Sequence, residues 1–229
     1  MDKSRYFVGP DIWLDYRRAA WFPDQSILAV ADLHLGYAWA HRHSGQLMPI
    51  QVEDDAVTRL EQLVSEYKPR QTIVLGDLVH AVLPVPRIEA ELRHLCDALC
   101  GVTELILVLG NHDRNLRKLS HALSSDLKPC SEHTAAPRLF VHGDTLPDAA
   151  GDFIVMGHEH PAISLGDGVA TSQKFPCFLR SERLLVLPAF SQWSAGTNIR
   201  EGFMSPLAKS ARFVEAIAIL GHKLLPVRL

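Results

Sequence analysis

Five apolar runs along the chain have the length and continuous hydrophobicity of buried β-strands. Each run ends in polar residues, and glycine adjoins or interrupts four of these ends, where its backbone freedom permits a sharp turn. The segments between the first three runs have helical periodicity, and such alternation predicts βαβ units in a largely parallel sheet. The five predicted strands are SILAVAD (26–32), TIVLGD (72–77), ELILVLGN (104–111), RLFVHGD (138–144) and FIVMGH (153–158).

Helical spacing of apolar residues predicts three helices in the same part of the chain. The second of them is bounded by Pro86 and Gly101, which are typical of the start and the end of a helix. RNLRKLSHAL, which follows Asn111, predicts a short third helix. The apolar positions are Val52, Val57, Leu60, Leu63, Val64 and Tyr67 in the first helix, and Ile88, Leu92, Leu95 and Leu99 in the second.

The two flanks of the chain are rich in predicted β-structure. DIWLD and RRAAWFP, within the first 25 residues, predict two short antiparallel strands. CFLRS (177–181), RLLVLPAF (183–190) and RFVEAIAIL (212–220) predict further strands. A βαβ centre between β-rich flanks predicts an α/β fold in which two packed sheets have helices outside. A chain of 229 residues is long enough to form this fold as one large domain, residues 1–229.

The composition is that of an ordinary globular protein, with 47% apolar and 21% charged residues. A formal net charge of −3 gives no general attraction to nucleic acid or to an anionic membrane, so any polyanion must be bound by local features. No apolar stretch is long enough for a signal peptide or a membrane span. The four cysteines form no C-x-x-C pair. We therefore expect a reduced cytoplasmic protein without a membrane partner.

Residues able to bind metal ions or transfer protons follow every predicted strand. The carboxyl ends of strands in an open α/β sheet converge on one crevice, so these side chains are expected to lie together. Their carboxylate, amide and imidazole groups, without sulfur, suit Mn, Fe or Zn. Two such ions about 3.5–4 Å apart can clamp phosphoryl oxygens and activate water. In strand order the residues are Asp32 and His34; Asp77 and His80; Asn111, His112 and Asp113; His142 and Asp144; and His158 and His160.

Five short motifs at these strand ends, in this order, resemble those of the calcineurin-like metallophosphoesterases. They are DLH (32–34), GDLVH (76–80), GNHD (110–113), VHGD (141–144) and GHEHP (157–161). The resemblance implies a four-layer αββα sandwich, with two mixed sheets flanked by helices, and two metal ions. The predicted ligand set that it implies is Asp32, His34 and His160 for the first ion, Asn111, His142 and His158 for the second, and Asp77 as the bridge.

Two further positions have roles only through this resemblance. His112 would lie outside the ligand set, face the substrate and protonate the leaving oxygen. His80 stands where the phosphoprotein phosphatase branch has an aspartate that orients this histidine, so that pairing is absent. A substrate-facing role is expected for His80 instead.

The resemblance extends to one bacterial branch, the DNA-ligase-associated metallophosphoesterases. ADLHLG (31–36) is followed there by an arginine, a glycine and a proline, which Arg42, Gly45 and Pro49 match. FPCFLRSERLLVLPAFSQWSAG (175–196) is similar to the C-terminal segment of that branch, although Ser191 and Ala195 stand where glycines are expected. Arg42 fits a phosphate-binding role or a solvated surface arginine equally well.

The branch implies a metal-dependent phosphodiesterase or nuclease, with DNA as the expected substrate, in a DNA-repair context. It also implies association with a DNA ligase or a helicase. Mn is the expected metal, and Fe, Zn and Mg are alternatives. Two other functions stay open: a hydrolase of nucleotides or nucleotide-sugar pyrophosphates, and a non-catalytic binding module on the same fold. Trp193 fits either stacking on a base or packing in the core or a lid.

Overall fold

A computed structural model describes residues 3–9, 11–48, 56–83, 85–149, 151–166 and 172–229, and the predictions made for Pro49 and Val52 lie outside them. Its helices are α1 Tyr37–His43, α2 Ala56–Tyr67, α3 Pro86–Leu99 and α4 Pro206–Ser210, with 3-10 helices at Asn111–Ala122 and Ile199–Glu201. Its strands are β1 Arg5–Gly9, β2 Ile12–Asp15, β3 Ala19–Phe22, β4 Ile27–Ala31, β5 Gln71–Leu75, β6 Glu104–Val108, β7 Lys128–Cys130, β8 Glu132–Ala135, β9 Arg138–Val141, β10 Phe153–Met156, β11 Pro161–Gly166, β12 Ser172–Arg180, β13 Leu184–Val186, β14 Thr197–Asn198, β15 Glu215–Leu220 and β16 Lys223–Arg228.

The first sheet contains β1 to β7 in sequence order. Strands β1 to β4 are antiparallel to one another, whereas β4 to β7 are parallel. In the parallel part, Ala31 pairs with Leu75 and Leu75 pairs with Val108. These three residues end their strands at the same level, so the segments that follow β4, β5 and β6 leave the sheet at one edge.

The second sheet has the order β14-β11-β12-β13-β10-β9-β8, and β15 and β16 continue from β12. Its centre is parallel, because β10 runs in the same direction as β9 and β13. Met156 of β10 pairs with both Val141 and Val186. The segments that begin at His142 and Gly157 therefore also leave their sheet at one level.

Three hydrophobic clusters hold the layers together. Ile73 and Ile106 of the first sheet meet Phe140 and Val155 of the second in the core between the sheets. Helices α2 and α3 cover the outer face of the first sheet, and α4 with its neighbouring loop covers that of the second. The predicted αββα sandwich is thus confirmed. Its last layer is thin among the described residues, because α4 has only five residues between Ser205, which caps its first turn, and Ala211.

Most predicted elements are confirmed, and two differ. All five apolar runs contain strands, and both longer helices form where the periodicity predicts them. The segment after Asn111 is a 3-10 helix. In RLLVLPAF only Leu184–Val186 is strand, because Pro188 interrupts the run. The chain then crosses to the first sheet, where the Phe190 amide donates to the Ala31 carbonyl at 2.7 Å. No described helix has the length and apolar character needed to span a lipid bilayer.

Candidate metal centre

The strand ends bring the predicted ligand set into two neighbouring groups. In the first group, donor atoms of Asp32, His34, Asp77 and His160 all lie within 4.8 Å of one another. His160 Nε2 is 3.3 Å from His34 Nε2 and 3.5 Å from Asp32 Oδ2. Asp32 Oδ1 is buried and has no hydrogen-bond partner among the described residues. A buried carboxylate with one oxygen free of hydrogen bonds and the other near an imidazole nitrogen fits a divalent cation.

His142 is the centre of the second group. Its Nε2 lies 3.0 Å from Asn111 Oδ1, 3.1 Å from His158 Nδ1 and 3.6 Å from Asp77 Oδ1. The other ring nitrogen, Nδ1, donates to the Leu75 carbonyl at 3.1 Å, which leaves the Nε2 lone pair free for a ligand. Asp77 has contacts in both groups, as a bridging carboxylate requires.

Five of the seven residues in the predicted ligand set have a left-handed backbone. The left-handed region costs a non-glycine residue about 1–3 kcal/mol, and such strain concentrates at functional sites. The surrounding sheet holds these turns in place: Asp32 N donates to the Gly76 carbonyl at 3.2 Å and His34 N to the Asp77 carbonyl at 2.9 Å. The φ angles are 54° at Asp32, 48° at His34, 49° at Asp77, 66° at His158 and 44° at His160.

Two glycines at the strand ends are required by close packing of the ligand side chains. A Cβ at Gly76 would lie 2.5 Å from Cγ of His142, and a Cβ at Gly110 would lie 2.6 Å from the backbone nitrogen of Asp77. Real Cβ atoms do not approach other heavy atoms so closely. Glycine at these positions therefore lets the ligand side chains from neighbouring strands meet.

Burial and neighbouring charges set the protonation of the first group. Burial lowers the pKa of His34 to about 3, so its ring is neutral at neutral pH, as a metal ligand must be. Burial raises the pKa of Asp32, but the imidazoles of His160 and His142 outweigh this effect and hold the pKa below its ordinary value. Burial raises the pKa of Asp77 above its ordinary value.

His112 and His80 lie beside the first group. His112 Nδ1 donates to the His80 carbonyl at 2.6 Å, and its Nε2 is 3.9 Å from Asp77 Oδ2. Both rings are near His34, at centroid distances of 5.3 Å for His112 and 5.6 Å for His80. Burial lowers the pKa of His80 to about 4, with further lowering by His112 and His41. Nitrogens of His34, His80 and His112 also lie within 4.8 Å of one another, which offers an alternative place for one ion.

Arg42 is not brought into contact with the predicted ligand set in the described structure. Its guanidinium lies 5.7 Å from the ring centroid of Trp39, and it donates to the Met48 carbonyl at 3.4 Å. Arg42 is exposed near the end of the short helix α1. A phosphate-binding role for Arg42 stays a prediction.

Several residues support the candidate site from outside the ligand set. Asp113 is buried and accepts hydrogen bonds from the amides of Gly110 and Leu78, both at 3.0 Å, so it joins two ligand-bearing loops. Burial raises its pKa to about 6. Glu159 of GHEHP, for which the motifs imply no role, is also buried and accepts hydrogen bonds from the amides of Met204 and Ser205.

The segment after β13 completes the site, and its contacts were not predicted. Ser194 Oγ is 2.7 Å from His160 Nδ1, so it fixes the ring of a predicted ligand. Ser191 N donates to the Asp32 carbonyl at 3.1 Å, which ties the segment to the end of β4. Arg18 donates to the carbonyls of Ala189 and Ser191 at 2.9 and 2.6 Å. Resemblance of this segment to one branch was the only sequence signal for it.

The sequence of residues 25–162, more than half of the chain, matches the family described as calcineurin-like phosphoesterase. The chain therefore belongs to the calcineurin-like phosphoesterase family. It is a metal-dependent phosphoesterase, and the family implies a binuclear centre of divalent ions, for which the two groups above supply candidate ligands.

Solved structures similar to this chain include a nuclease. The crystal structure of Pseudomonas putida nuclease MPE is 25% identical to this chain, with a TM-score of 0.69 and coverage of 94% of each chain. AQ665 from Aquifex aeolicus, a protein of unknown function, is 15% identical with a TM-score of 0.38, covering 58% of this chain and 77% of its own. The second likeness is too weak to support an argument. A comparison with curated protein sequences gives no match.

Proposed function

We propose that this chain is a binuclear metal-dependent phosphodiester hydrolase that acts on nucleic acid. The observation that carries the proposal is the position of Asp77, which has contacts in both groups of candidate ligands. The similarity to Pseudomonas putida nuclease MPE over 94% of the chain supports nucleic acid as the substrate class.

The proposed ligands follow the two groups. Asp32, His34 and His160 would hold the first ion, and Asn111, His142 and His158 would hold the second. Asp77 would bridge them. Two divalent ions held there would act as Lewis acids on the phosphate and would activate water for attack. The residues themselves supply imidazole nitrogens, an amide oxygen and two carboxylates, a donor set that suits Mn, Fe or Zn.

His112 is the proposed proton donor to the leaving oxygen. Its Nδ1 is held by the His80 carbonyl, so Nε2 is the nitrogen that can serve the substrate. A carbonyl only accepts hydrogen bonds, and therefore the proton stays on Nδ1. Donation from Nε2 then requires a ring protonated on both nitrogens. In that state His112 also stabilises the charge that develops on the phosphate.

His80 is proposed to favour diesters over monoesters. Its ring is neutral at neutral pH, because burial lowers its pKa to about 4. A neutral ring can donate one hydrogen bond to a phosphate oxygen but offers no positive charge. A diester has one negative charge and a monoester at neutral pH has two. The monoester would gain more from a positively charged side chain, so a neutral His80 disfavours the monoester more than the diester.

A hydrolysis screen of the metal-supplemented protein tests the proposal. With Mn²⁺, bis-p-nitrophenyl phosphate should be hydrolysed faster than p-nitrophenyl phosphate, and single-stranded or nicked DNA should be cut with little sequence preference. Chelation should abolish these activities, and Mn²⁺ should restore them at least as well as Mg²⁺. Full activity of the metal-free protein would contradict the metal mechanism. A monoester preference with no cleavage of any DNA would contradict the nuclease proposal.

A hydrolase of nucleotides or nucleotide-sugar pyrophosphates is the second candidate. A cavity of about 220 Å³ lies against Asn111 and His142 and is also lined by Arg114 and Asp144. That volume would admit a phosphate group of a small molecule. Turnover of a nucleotide panel, compared with DNA under the same conditions, separates this candidate from the first.

Other parts of the hypothesis rest on the sequence alone. They are Mn as the resident metal, a DNA-repair context, association with a DNA ligase or a helicase, a cytoplasmic location, a single domain spanning residues 1–229, and substrate contact by Arg42.

A further inference from the structure

Four aromatic rings form a wall beside the candidate metal centre. This aromatic wall consists of Tyr37, His41, His80 and Trp193. The Tyr37 ring centroid is 4.4 Å from that of His41 and 4.4 Å from that of His80. The Tyr37 ring is also parallel to Trp193 within 4°, at a centroid distance of 6.0 Å. His80 is 5.6 Å from His34. Ser194, the residue after Trp193, contacts His160, so the wall borders the predicted ligand set.

Trp193 differs from the other three tryptophans of the chain. Trp21 belongs to the core beneath α2 and α3, and Trp13 and Trp39 pack against that core. Trp193 belongs to no hydrophobic cluster in the described part of the chain and is partly exposed. Of the roles open from the sequence, core packing is therefore excluded for Trp193 in this structure.

Tyr37 and Trp193 also keep polar groups available. Within the described residues, the Tyr37 hydroxyl and the Trp193 indole nitrogen form no hydrogen bond, whereas the Trp193 backbone amide donates to Ser191 Oγ at 3.3 Å. Partly exposed rings with an unused polar group are typical of recognition surfaces. A flat polar heterocycle, such as a nucleobase, matches both the ring faces and the polar groups.

The cavity beside the second group of predicted ligands has a mostly polar lining. The cavity beside Asn111 and His142 is lined by Arg114, Asp144 and Thr145, and its described lining contains no Phe, Tyr or Trp. Among the described residues, the wall therefore offers Tyr37 and Trp193 for stacking, and the lining of this cavity offers no Tyr or Trp ring. The chain also has a net charge of −3, so general electrostatic attraction does not explain binding of a polyanion. Local contacts have to contribute, and base stacking is one that these residues offer.

We propose that the aromatic wall is a stacking site for one nucleobase of the substrate, on the His80 side of the phosphate that is cleaved. This inference rests on the proposed function and adds the group that is recognised. A base inside an intact duplex already stacks on its neighbours, and its removal costs a few kcal/mol. The wall therefore takes a base from a single-stranded segment or a frayed end.

Binding to an oligonucleotide with and without bases tests the wall. The probes are a labelled single-stranded oligothymidylate and an abasic deoxyribose-phosphate oligomer of the same length, both with phosphorothioate linkages to slow cleavage. Fluorescence anisotropy gives the Kd for the full chain loaded with Mn²⁺. Trp193→Leu and Tyr37→Leu remove a ring but keep an apolar side chain. Phe7→Leu removes an exposed ring on β1 and is the matched control.

Trp193→Leu and Tyr37→Leu should each weaken oligothymidylate binding by about 5- to 50-fold and leave abasic binding unchanged. Tyr37→Phe, which keeps the ring and removes only the hydroxyl, should lose much less affinity than Tyr37→Leu, and Phe7→Leu should retain the affinity. Thermal denaturation identifies any variant that fails to fold. If one of the two leucine variants fails, the Kd values of the other test the stacking site. Equal weakening on both oligomers, or no weakening on oligothymidylate, would overturn the stacking site.

Hydrolysis of bis-p-nitrophenyl phosphate by the unchanged protein separates the two proposals. If the diester is hydrolysed and base-dependent weakening is absent, the stacking site fails and the proposed function stands. If the diester and DNA both resist hydrolysis while base-dependent weakening is observed, the stacking site stands as a binding feature and the proposed hydrolase fails.

Discussion

The ligand set and the aromatic wall border the same site but are built from different parts of the fold. The ligand set lies on strand ends in register, and five of its seven residues are in left-handed turns held by backbone hydrogen bonds. Tyr37 and His41 of the wall lie on the seven-residue helix α1, and Trp193 lies on a turn after β13. Sheet ends fix side chains more precisely than loops and short helices do. Metal binding needs this precision, whereas stacking tolerates adjustment.

The largest predicted effect is the loss of the proposed bridging carboxylate. Asp77→Ala should remove contacts to both ions, since Asp77 has neighbours in both groups. Metal ions supply several kcal/mol of transition-state stabilisation, so turnover of a diester should fall by about 10³-fold or more. Metal content by mass spectrometry and turnover with Mn²⁺ measure the effect. The exposed Asp152 provides the control Asp152→Ala, which should retain both properties. Two ions per chain in Asp77→Ala would contradict the bridge.

The next largest effect is a loss of turnover that leaves metal binding unchanged. His112→Asn should lower turnover by about 10²–10⁴-fold if His112 is the proton donor. Metal content should stay nearly intact, because His112 is proposed to lie outside the ligand set. His121 is exposed on the same 3-10 helix, so His121→Asn is the matched control and should behave like the unchanged protein. Loss of metal in His112→Asn equal to that in His142→Ala would show that His112 is a ligand, as the alternative group of His34, His80 and His112 allows.

Adding a methyl group at Gly110 should show how tightly the side chains around Asp77 are packed. Gly110 has a φ of −101°, so Gly110→Ala adds little backbone strain, but its Cβ would lie 2.6 Å from the Asp77 nitrogen. The resulting shift of Asp77 should lower turnover by about 10²-fold, the cost of a displacement near 1 Å. Gly101→Ala is the control: at a φ of +93° it is strained, but no atom lies within 4 Å. It should lower the melting temperature and keep turnover. Equal turnover in both variants would contradict tight packing around Asp77.

The smallest effect is expected where the wall meets the ligand set. His80 is neighboured by Tyr37, His41, His112 and His34, and burial lowers its pKa to about 4. A lowered histidine pKa means that the ring is neutral above that pH, and nearby cations would lower the pKa further. His80→Asn should therefore reduce diester turnover without changing the shape of the pH profile between about pH 6 and pH 8. A titration step in that range that disappears in His80→Asn would contradict a neutral His80.

The same comparison explains how much the sequence could predict. Asp32, Asp77 and Asn111 each follow an apolar run, so the convergence of parallel strand ends brings them together without further information. The glycines of GDLVH and GNHD were expected to permit sharp turns, and their role in close packing is visible only in the structure. By contrast, the contact of Tyr37 with Trp193 joins two distant segments, and no periodicity relates them.

The left-handed backbone at the predicted ligands could also not be predicted from the sequence. A positive φ at Asp32 or His160 contradicts the ordinary preference of these residues, and only the surrounding hydrogen bonds impose it. The helix after Asn111 is a similar case. Its apolar spacing predicts a helix, but the hydrogen bonds of Asp113 to Gly110 and Leu78 tie its first turn to the neighbouring loop. The strand predicted for RLLVLPAF (183–190) ends at Val186. The prediction was too long because a segment that crosses between sheets has the same apolar pattern as a continuous strand.

Anomalous diffraction from crystals grown with Mn²⁺ would show directly whether Asp77 bridges two ions. Two peaks per chain are expected, one among Asp32, His34 and His160 and one among Asn111, His142 and His158, with Asp77 in contact with both. A single peak, or a peak held by His34, His80 and His112 with Asp77 outside the coordination of either ion, would contradict the proposed bridge.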